Sequence, residues 1–372
     1  MGVLKLNEIK PGMITSAPVM TQRGQIIVDE NVLLTKQLIA RMHFYGIVEA
    51  SVLEVKDSAK KKPEHVPVEE PPKVELPETE PSYSQKIRRS SSFQQFQLDY
   101  TNDVVRFNSY LEDFKETRVL QYSKELVDIP KSLIAETRTS IQFFDMIHNL
   151  RSIDDTIFAH SLNVAMISRM LGKWLKLDEK QLDTLTLAAA LHDVGKFLIP
   201  DEVLNKEDKL TDEEFQLIKE HPVLGYELLK DQDVSYHVKQ AALMHHERCD
   251  GSGYPLGLTT DEIDNFAQLI AIADVYDAMT AARKYRSPLC PFQVISEFEK
   301  DGLSKYNPKF ILTFLQHIAN AYQNNRVLLN DGRSAKIILL NQNHLSRPMI
   351  QLNDGSCLDL SREPELYIQA VV

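Results

Sequence analysis

Apolar residues recur at helical spacing through the middle of this 372-residue chain and at shorter, strand-like spacing near both ends. From about 151 to 322, the runs "FAHSLNVAMISRMLGKWL", "LDTLTLAAALHDVGKFLI", "YHVKQAALMHHE" and "DNFAQLIAIADVYDAMTAA" predict buried helices, the second apolar on nearly every side. "TDEEFQLIKEH" predicts another, with Thr211 as N-cap and Glu214 three residues later as its capping-box partner. Over about 91–150, Phe93, Phe96, Tyr100, Val104, Phe107, Leu111 and Phe114 fall three or four apart and predict a long striped helix. That stripe admits two readings. It packs on its own domain, or it is a signalling and dimerisation helix that makes the protein a homodimer.

Outside this middle section the period changes. Residues 1–57 predict a small α+β unit, with strands in "GMITSAPVM", "GQIIV" and "EASVLEV" and a helix in "TKQLIARMHFY" that stops at Gly46. Residues 58–90 are rich in Pro, Glu, Lys and Ser and bury too little to order themselves, so a stiff extended linker is expected. The "RRSSS" at Arg88–Ser92 reads as part of that solvated linker rather than as a regulatory site. In 323–372, Leu-Asn-Asp-Gly occurs twice, at Leu329–Gly332 and Leu352–Gly355, and predicts two hairpins. The fold class expected is mainly α, a helical bundle with small β-rich accessory units at both ends.

Composition narrows the function. A net charge of -11 excludes a general DNA binder, since phosphate backbones need a basic face. A small anionic ligand then requires a local basic cluster. Cys249, Cys290 and Cys357 form no paired framework and suit a reducing cytoplasm. No signal peptide and no bilayer-length apolar run is present, so a cytoplasmic protein without a membrane partner is expected.

Five of the 11 histidines lie in or beside the predicted buried helices: His160, His192, His221, His245 and His246. Asp193 follows His192, and Asp274 sits within "IAIADVYDAM". The spacings from 160 to 192, 192 to 221, 221 to 245 and 246 to 274 are 32, 29, 24 and 28 residues, each about one helix plus its turn. Successive antiparallel helices would bring one donor each to the same level of a bundle. A lone buried histidine is ordinarily a hydrogen-bonded core residue. Five histidines with two buried carboxylates are better explained by divalent transition metals, with Fe, Mn or Zn fitting better than Mg or Ca. Two metals sharing a bridging Asp193 use all seven donors. His245 and His246 point about 100° apart on a helix and would serve different metals or different faces of one cluster. Such a pair is a phosphoryl-transfer device, in which a metal-bridging hydroxide attacks phosphorus. Lys196, four residues after His192 on the same helical path, is placed to meet the phosphate.

These residues carry a family resemblance. "HDVGK" at His192–Lys196 resembles the signature of the HD metal-dependent phosphohydrolases, and "HHERCDGSGYPLG" at His245–Gly257 resembles the second signature of their HD-GYP subgroup. "HSLNVA", "EHPVLG" and "IADVYDAMT" match intervening elements in order, so the likeness covers roughly 150–290. It implies an HD-type helical bundle that hydrolyses the bacterial second messenger cyclic di-GMP, the family's products being linear pGpG and, often, GMP. The implied metal ligands are His160, His192, Asp193, His221, His245, His246 and Asp274, holding two Fe or Mn ions. Asp193 and Lys196 are the implied catalytic residues, with Lys196 on the scissile phosphate. Gly253, Tyr254 and Pro255 form the loop naming the subgroup, with Tyr254 lining the pocket. "ARKYRSP" resembles the segment whose arginines, here Arg283 and Arg286, bind phosphate or guanine. Some members hold a third metal through a glutamate where this chain has Thr156, so a binuclear site is expected. Ala282 and Lys284 also depart from the usual pattern. Two alternatives are a non-catalytic cyclic dinucleotide receptor or scaffold and a hydrolase of cyclic GMP-AMP.

Overall fold

The computed structural model describes residues 83–150, 157–206, 208–281 and 289–372 continuously and residues 2–53 in part. The chain divides into two compact units, Met1–Glu78 and Thr79–Val372.

In the first unit, β1 (Gly2–Lys5), β2 (Ile14–Thr15) and β5 (Glu49–Leu53) form an antiparallel sheet in the order β1-β5-β2. β3 (Val19–Met20) and β4 (Ile26–Val28) pair separately. Val19, Val28, Leu34, Met42, Ala50 and Val52 are buried together. The strands expected from the β-rich runs are present, and β1 adds one that the short run "GVLK" did not signal. The expected helix in "TKQLIARMHFY" lies largely outside the described residues, as do 58–82 of the expected linker.

The second unit opens with α1 (Tyr83–Arg89), inside the segment expected to be extended. Arg88 Nε donates to Asn149 Oδ1 at 3.1 Å. Ser90 then caps α2 (Ser91–Thr117): its Oγ accepts from the Phe93 N–H and donates to the Ile87 carbonyl. "RRSSS" is therefore a helix junction and not solvated linker, because a serine that looks like linker composition is serving as an N-cap.

α2 carries the predicted stripe, and all seven of its apolar residues are buried. They pack within the chain, in a core shared with α3 (Ser123–Ala135), α4 (Ser140–Leu150) and α5 (Ile157–Trp174). The Tyr100 hydroxyl donates to Asn163 Oδ1 at 2.8 Å, fastening α2 to α5. Of the two readings of the stripe, the one seen is packing on its own domain. One core runs from Phe93 to Ile368, so 91–150, 151–322 and 323–372 share a single interior.

α6 (Glu179–Ala190) ends earlier than its apolar run, and a 3₁₀ turn follows at Val194–Leu198. Lys196 is thus not on one α-helical path with His192, as expected, but three residues after Asp193 in a tighter turn. α7 (Asp201–Leu204) and α8 (Asp212–Ile218) come next, and the capping box of Thr211 and Glu214 is present. α9 (His221–Leu229), α10 (Tyr236–Met244), α11 (Asn265–Thr280), α12 (Pro291–Lys305) and α13 (Pro308–Ala321) complete the bundle. Among the described residues no helix is long and apolar enough to cross a membrane.

β6 (Arg326–Leu329) and β7 (Ser334–Leu339) form the first predicted hairpin, and β8 (Met349–Leu352) and β9 (Cys357–Asp359) the second. With β10 (Ile368–Val371) they make an antiparallel sheet ordered β10-β6-β7-β8-β9. The chain is mainly α with small sheets at its ends, as expected.

Phe107 is fully buried in the α2 stripe. Replacing it with alanine is expected to cost about 3–5 kcal/mol in urea unfolding. A stripe reserved for a partner would instead leave the unfolding midpoint unchanged at low protein concentration.

Candidate metal centre

The seven residues singled out by spacing meet at one end of the bundle. His160 comes from α5, and His192 and Asp193 from the turn after α6. His221 opens α9, His245 and His246 follow the last residue of α10, and Asp274 lies on α11. They form two groups of donor atoms, each within 4.8 Å internally: Asp193, His221, His245 and His246 in one, and His160, His192 and Asp274 in the other.

Helix endings orient three of the imidazoles. The last carbonyls of a helix have no partner within it. His192 Nδ1 donates to the Ala189 carbonyl at 2.7 Å, His221 Nδ1 to Ile218 at 2.7 Å, and His245 Nδ1 to Ala241 and Ala242 at 3.0 and 3.1 Å. Each bond places the proton on Nδ1 and leaves Nε2 with a bare lone pair. His160 lies within α5, where the carbonyls serve the helix itself. Its Nδ1 is held by Asp277 Oδ2 at 2.7 Å instead. Asp277 is a buried acid that spacing had not singled out. It sits three residues after Asp274 on an apolar helix, and a second acid on that face was the available signal.

Asp193 stands between the two groups. Its Oδ1 is 3.3 Å from His221 Nε2 and 3.6 Å from His245 Nε2. Its Oδ2 is 3.3 Å from His192 Nε2 and 3.7 Å from His160 Nε2, and it accepts from Lys196 Nζ at 2.6 Å. Of the two readings of their helical angle, His245 and His246 do not divide between the groups but fall in one. Both join Asp193 and His221, because α10 ends at Met244 and the chain turns there. His246 still reaches toward the second group, with Nδ1 4.0 Å from Asp274 Oδ2.

The donor set fits divalent cations. His192 Nε2 and Asp193 Oδ1 are buried and have no hydrogen-bond partner. His221 Nε2 and His245 Nε2 face each other at 3.2 Å, although each ring's proton is committed to a carbonyl on the other side. Two facing lone pairs are stabilised by a cation between them and by little else. Burial, with His192 and His221 nearby, lowers the His245 pKa to about 4 despite Asp193, so its neutral ligand form prevails. Burial and His245 likewise lower that of His246. For His160, burial opposes the charge, but hydrogen bonds to Asp274 and Asp277 outweigh it and raise the pKa to about 10. Burial also works against ionised Asp193 and Asp274. Lys196 and His192 for the first, and His160 for the second, hold both well below the usual carboxylate range.

Exposure gives the centre a floor and a mouth. The side chains of His192, His221 and His245 are at most 1% exposed, whereas those of His160, His246 and Lys196 are 18–24% exposed. The loop after α10 walls the mouth. Tyr254 stacks on His246, with centroids 4.7 Å apart and planes at 23°. Burial, together with Asp193 and Asp274, pushes its phenol pKa up, so the hydroxyl stays protonated. Buried Glu247 holds the loop: Oε1 accepts from the backbone N–H of Leu256 and Gly257, and Oε2 from that of Leu258. Spacing had given Glu247 no role. α10 stops at Met244, well ahead of Gly251 and Gly253. Gly253 is there for clearance, because a Cβ would lie 2.4 Å from Glu247 Cα and Arg248 N. Gly195 of "HDVGK" is tighter still, with a Cβ falling 1.9 Å from the His221 carbonyl oxygen. Only glycine lets the Asp193 turn approach α9 closely enough for the two ligand groups to meet. Arg283, Arg286 and Thr156, with the expectations placed on them, lie outside the described residues.

The HD domain family model matches residues 123–310. A cyclic di-GMP phosphodiesterase of Pseudomonas aeruginosa is 34% identical over 205 residues, 55% of this chain and 49% of that one. A cyclic di-GMP phosphodiesterase of Thermotoga maritima is 30% identical over 237 residues, 61% of this chain and 63% of that one. A 3'3'-cGAMP-specific phosphodiesterase of Vibrio cholerae is 36% identical over 161 residues, 43% of this chain and 31% of that one. The chain therefore spans less than two thirds of the length of each of these relatives.

Asp277→Asn keeps the size of the side chain but removes the charge that orients His160. Affinity for Mn²⁺ or Fe²⁺, measured by competition with a chromogenic chelator, is expected to fall about 10- to 100-fold. Unchanged affinity would mean that His160 is not a ligand.

Proposed function

Since the chain belongs to the HD domain family, we propose that it is a metal-dependent phosphodiesterase that hydrolyses cyclic di-GMP to linear pGpG. The observation that carries this reading is the position of Asp193, with one oxygen toward each group of imidazoles. That arrangement suits two divalent ions, and its mixture of imidazole and carboxylate donors fits Fe or Mn. His221, His245 and His246 would hold one ion, His160, His192 and Asp274 the other, and Asp193 both. Bound as a pair, such ions supply Lewis acidity at a phosphodiester and a nucleophilic water at neutral pH.

The protein's own groups do the rest. Asp193 fixes the spacing between the two groups and, through Oδ2, the position of Lys196. An ammonium has three donors, so Lys196 can keep that bond and direct another to a phosphoryl oxygen at the open mouth. Tyr254 offers a neutral ring face and a hydroxyl donor beside His246. Glu247 holds the loop in place before substrate arrives, which lowers the ordering cost of binding. The same chemistry serves any 3',5'-linked cyclic dinucleotide, and the relative named for 3'3'-cGAMP makes cyclic GMP-AMP the second substrate to test.

The test is direct. Protein purified anaerobically with Fe²⁺ or Mn²⁺ is incubated with cyclic di-GMP and with cyclic GMP-AMP, and products are separated by chromatography. Hydrolysis of cyclic di-GMP to pGpG is expected, with kcat at least about 100-fold lower in Asp193→Ala. A fully metal-loaded chain that binds the dinucleotide without turnover would make it a receptor. Preference for the mixed dinucleotide would move the assignment to cyclic GMP-AMP.

A further inference from the structure

The groups described so far handle one phosphodiester, whereas a cyclic dinucleotide carries two. The second is fixed by the ring on the far side from the first, and it brings a negative charge to the mouth of an already acidic site. Lys196 is held beside the shared carboxylate by its 2.6 Å bond to Asp193, on the side of the first.

A second cation stands on the same wall. Lys219 is the C-cap of α8, two residues ahead of His221. Its Nζ lies 5.0 Å from the centroid of Tyr254, the ring that stacks on His246, and 5.6 Å from that of Phe215. Phe215 is half exposed at 50%, so the ammonium rests between an open aromatic and the loop that walls the centre. Such contacts hold a cation in place weakly and leave its N–H groups directed to solvent. Other basic side chains of this unit are differently placed: Lys206 is paired with Glu214, Lys230 with Glu227, and Arg169 with Glu179 and Asp183. Among the described residues Lys219 has no carboxylate partner.

We propose that Lys219 binds the non-scissile phosphate of the cyclic dinucleotide and so sets the preference for a two-phosphate substrate over a simple diester. This rests on the phosphodiesterase reading above. Lys219 is a binding residue in this role and does not touch the reacting phosphorus. Phe215 and Tyr254 hold its ammonium beside the loop that walls the centre.

The experiment uses the full-length, Mn²⁺-loaded chain and two substrates, cyclic di-GMP and bis(p-nitrophenyl) phosphate, which has a single phosphate. In Lys219→Met, the ratio of kcat/KM for cyclic di-GMP to kcat/KM for bis(p-nitrophenyl) phosphate is expected to fall about 10- to 100-fold, the range of one charge-assisted contact. The loss should appear in KM, and Lys219→Arg should restore most of it. A ratio within twofold of the parent, or an equal loss on both substrates, overturns the proposal while leaving the phosphodiesterase reading intact. A parent chain that cleaves bis(p-nitrophenyl) phosphate but neither cyclic dinucleotide overturns the functional reading, and this proposal with it.

Discussion

Asp193 is a carboxylate buried among imidazoles whose lone pairs point at it, and the larger unit is arranged around that arrangement's cost. An unpaired buried carboxylate is destabilising by several kcal/mol, and Lys196 is the one cation bonded to it among the described residues. Two of the groups facing it, His221 and His245, cannot help, because their protons are already given to helix-end carbonyls. Folding and ligand geometry are therefore one problem here. Each helix that stops beside the centre leaves carbonyls without partners, and each is satisfied by the ring that must present a bare Nε2. Ending α6 at Ala190 and α10 at Met244 is what sets the tautomers of His192 and His245. Positive charge between the rings then relieves the carboxylate and the facing lone pairs together, so metal binding should also be a source of folding stability.

Much of this was legible in the chain. A spacing of one helix plus its turn between His160, His192, His221, His245 and Asp274 was enough to bring them to one level. The two Leu-Asn-Asp-Gly phrases named their hairpins, since the turn is decided by adjacent residues. The capping box at Thr211 was equally local. What could not be read was the choice of partner across the fold. The α2 stripe has the same periodicity whether it faces α5 or a second chain, and only packing selects between them. The apolar run through "LHDVGKFLI" gave no sign of its break, because the cause is His192 taking the Ala189 carbonyl. Asp277 and Glu247 were on the page as letters, but a buried acid declares its role only through what it bonds.

The two close glycine approaches show how little slack the centre has. Gly195 meets the His221 backbone, and Gly253 meets that of Glu247. One sets the distance between the Asp193 turn and α9, and so between the two ligand groups. The other lets the loop fold back far enough for Tyr254 to stack on His246. Glu247 then bonds three backbone N–H groups of that loop from beneath. The candidate metal-binding and pocket-forming residues are thus joined by close backbone approaches at the two glycines and by the buried Glu247 carboxylate. A site of this kind is set before substrate arrives, and its tolerances are those of packed backbone.

Charge gives the site a division of labour. The chain as a whole carries a net charge of -11, and its centre gathers Asp193, Asp274 and Asp277 around His160. That field draws divalent cations and repels phosphates. An anionic substrate can approach only where local cations reverse the sign, and the open side of the centre is where they stand. Lys196 is at the mouth, bonded to the shared carboxylate, and Lys219 is on the loop side, resting on two aromatic faces. The first is close to the candidate ligands and suits chemistry. The second is one ring removed from them and suits recognition. A substrate with one phosphate can satisfy only the first, and a substrate with two satisfies both. On the proposed reading, the acidic field that would hold the metals also favours a ligand whose charges are spaced to meet both lysines.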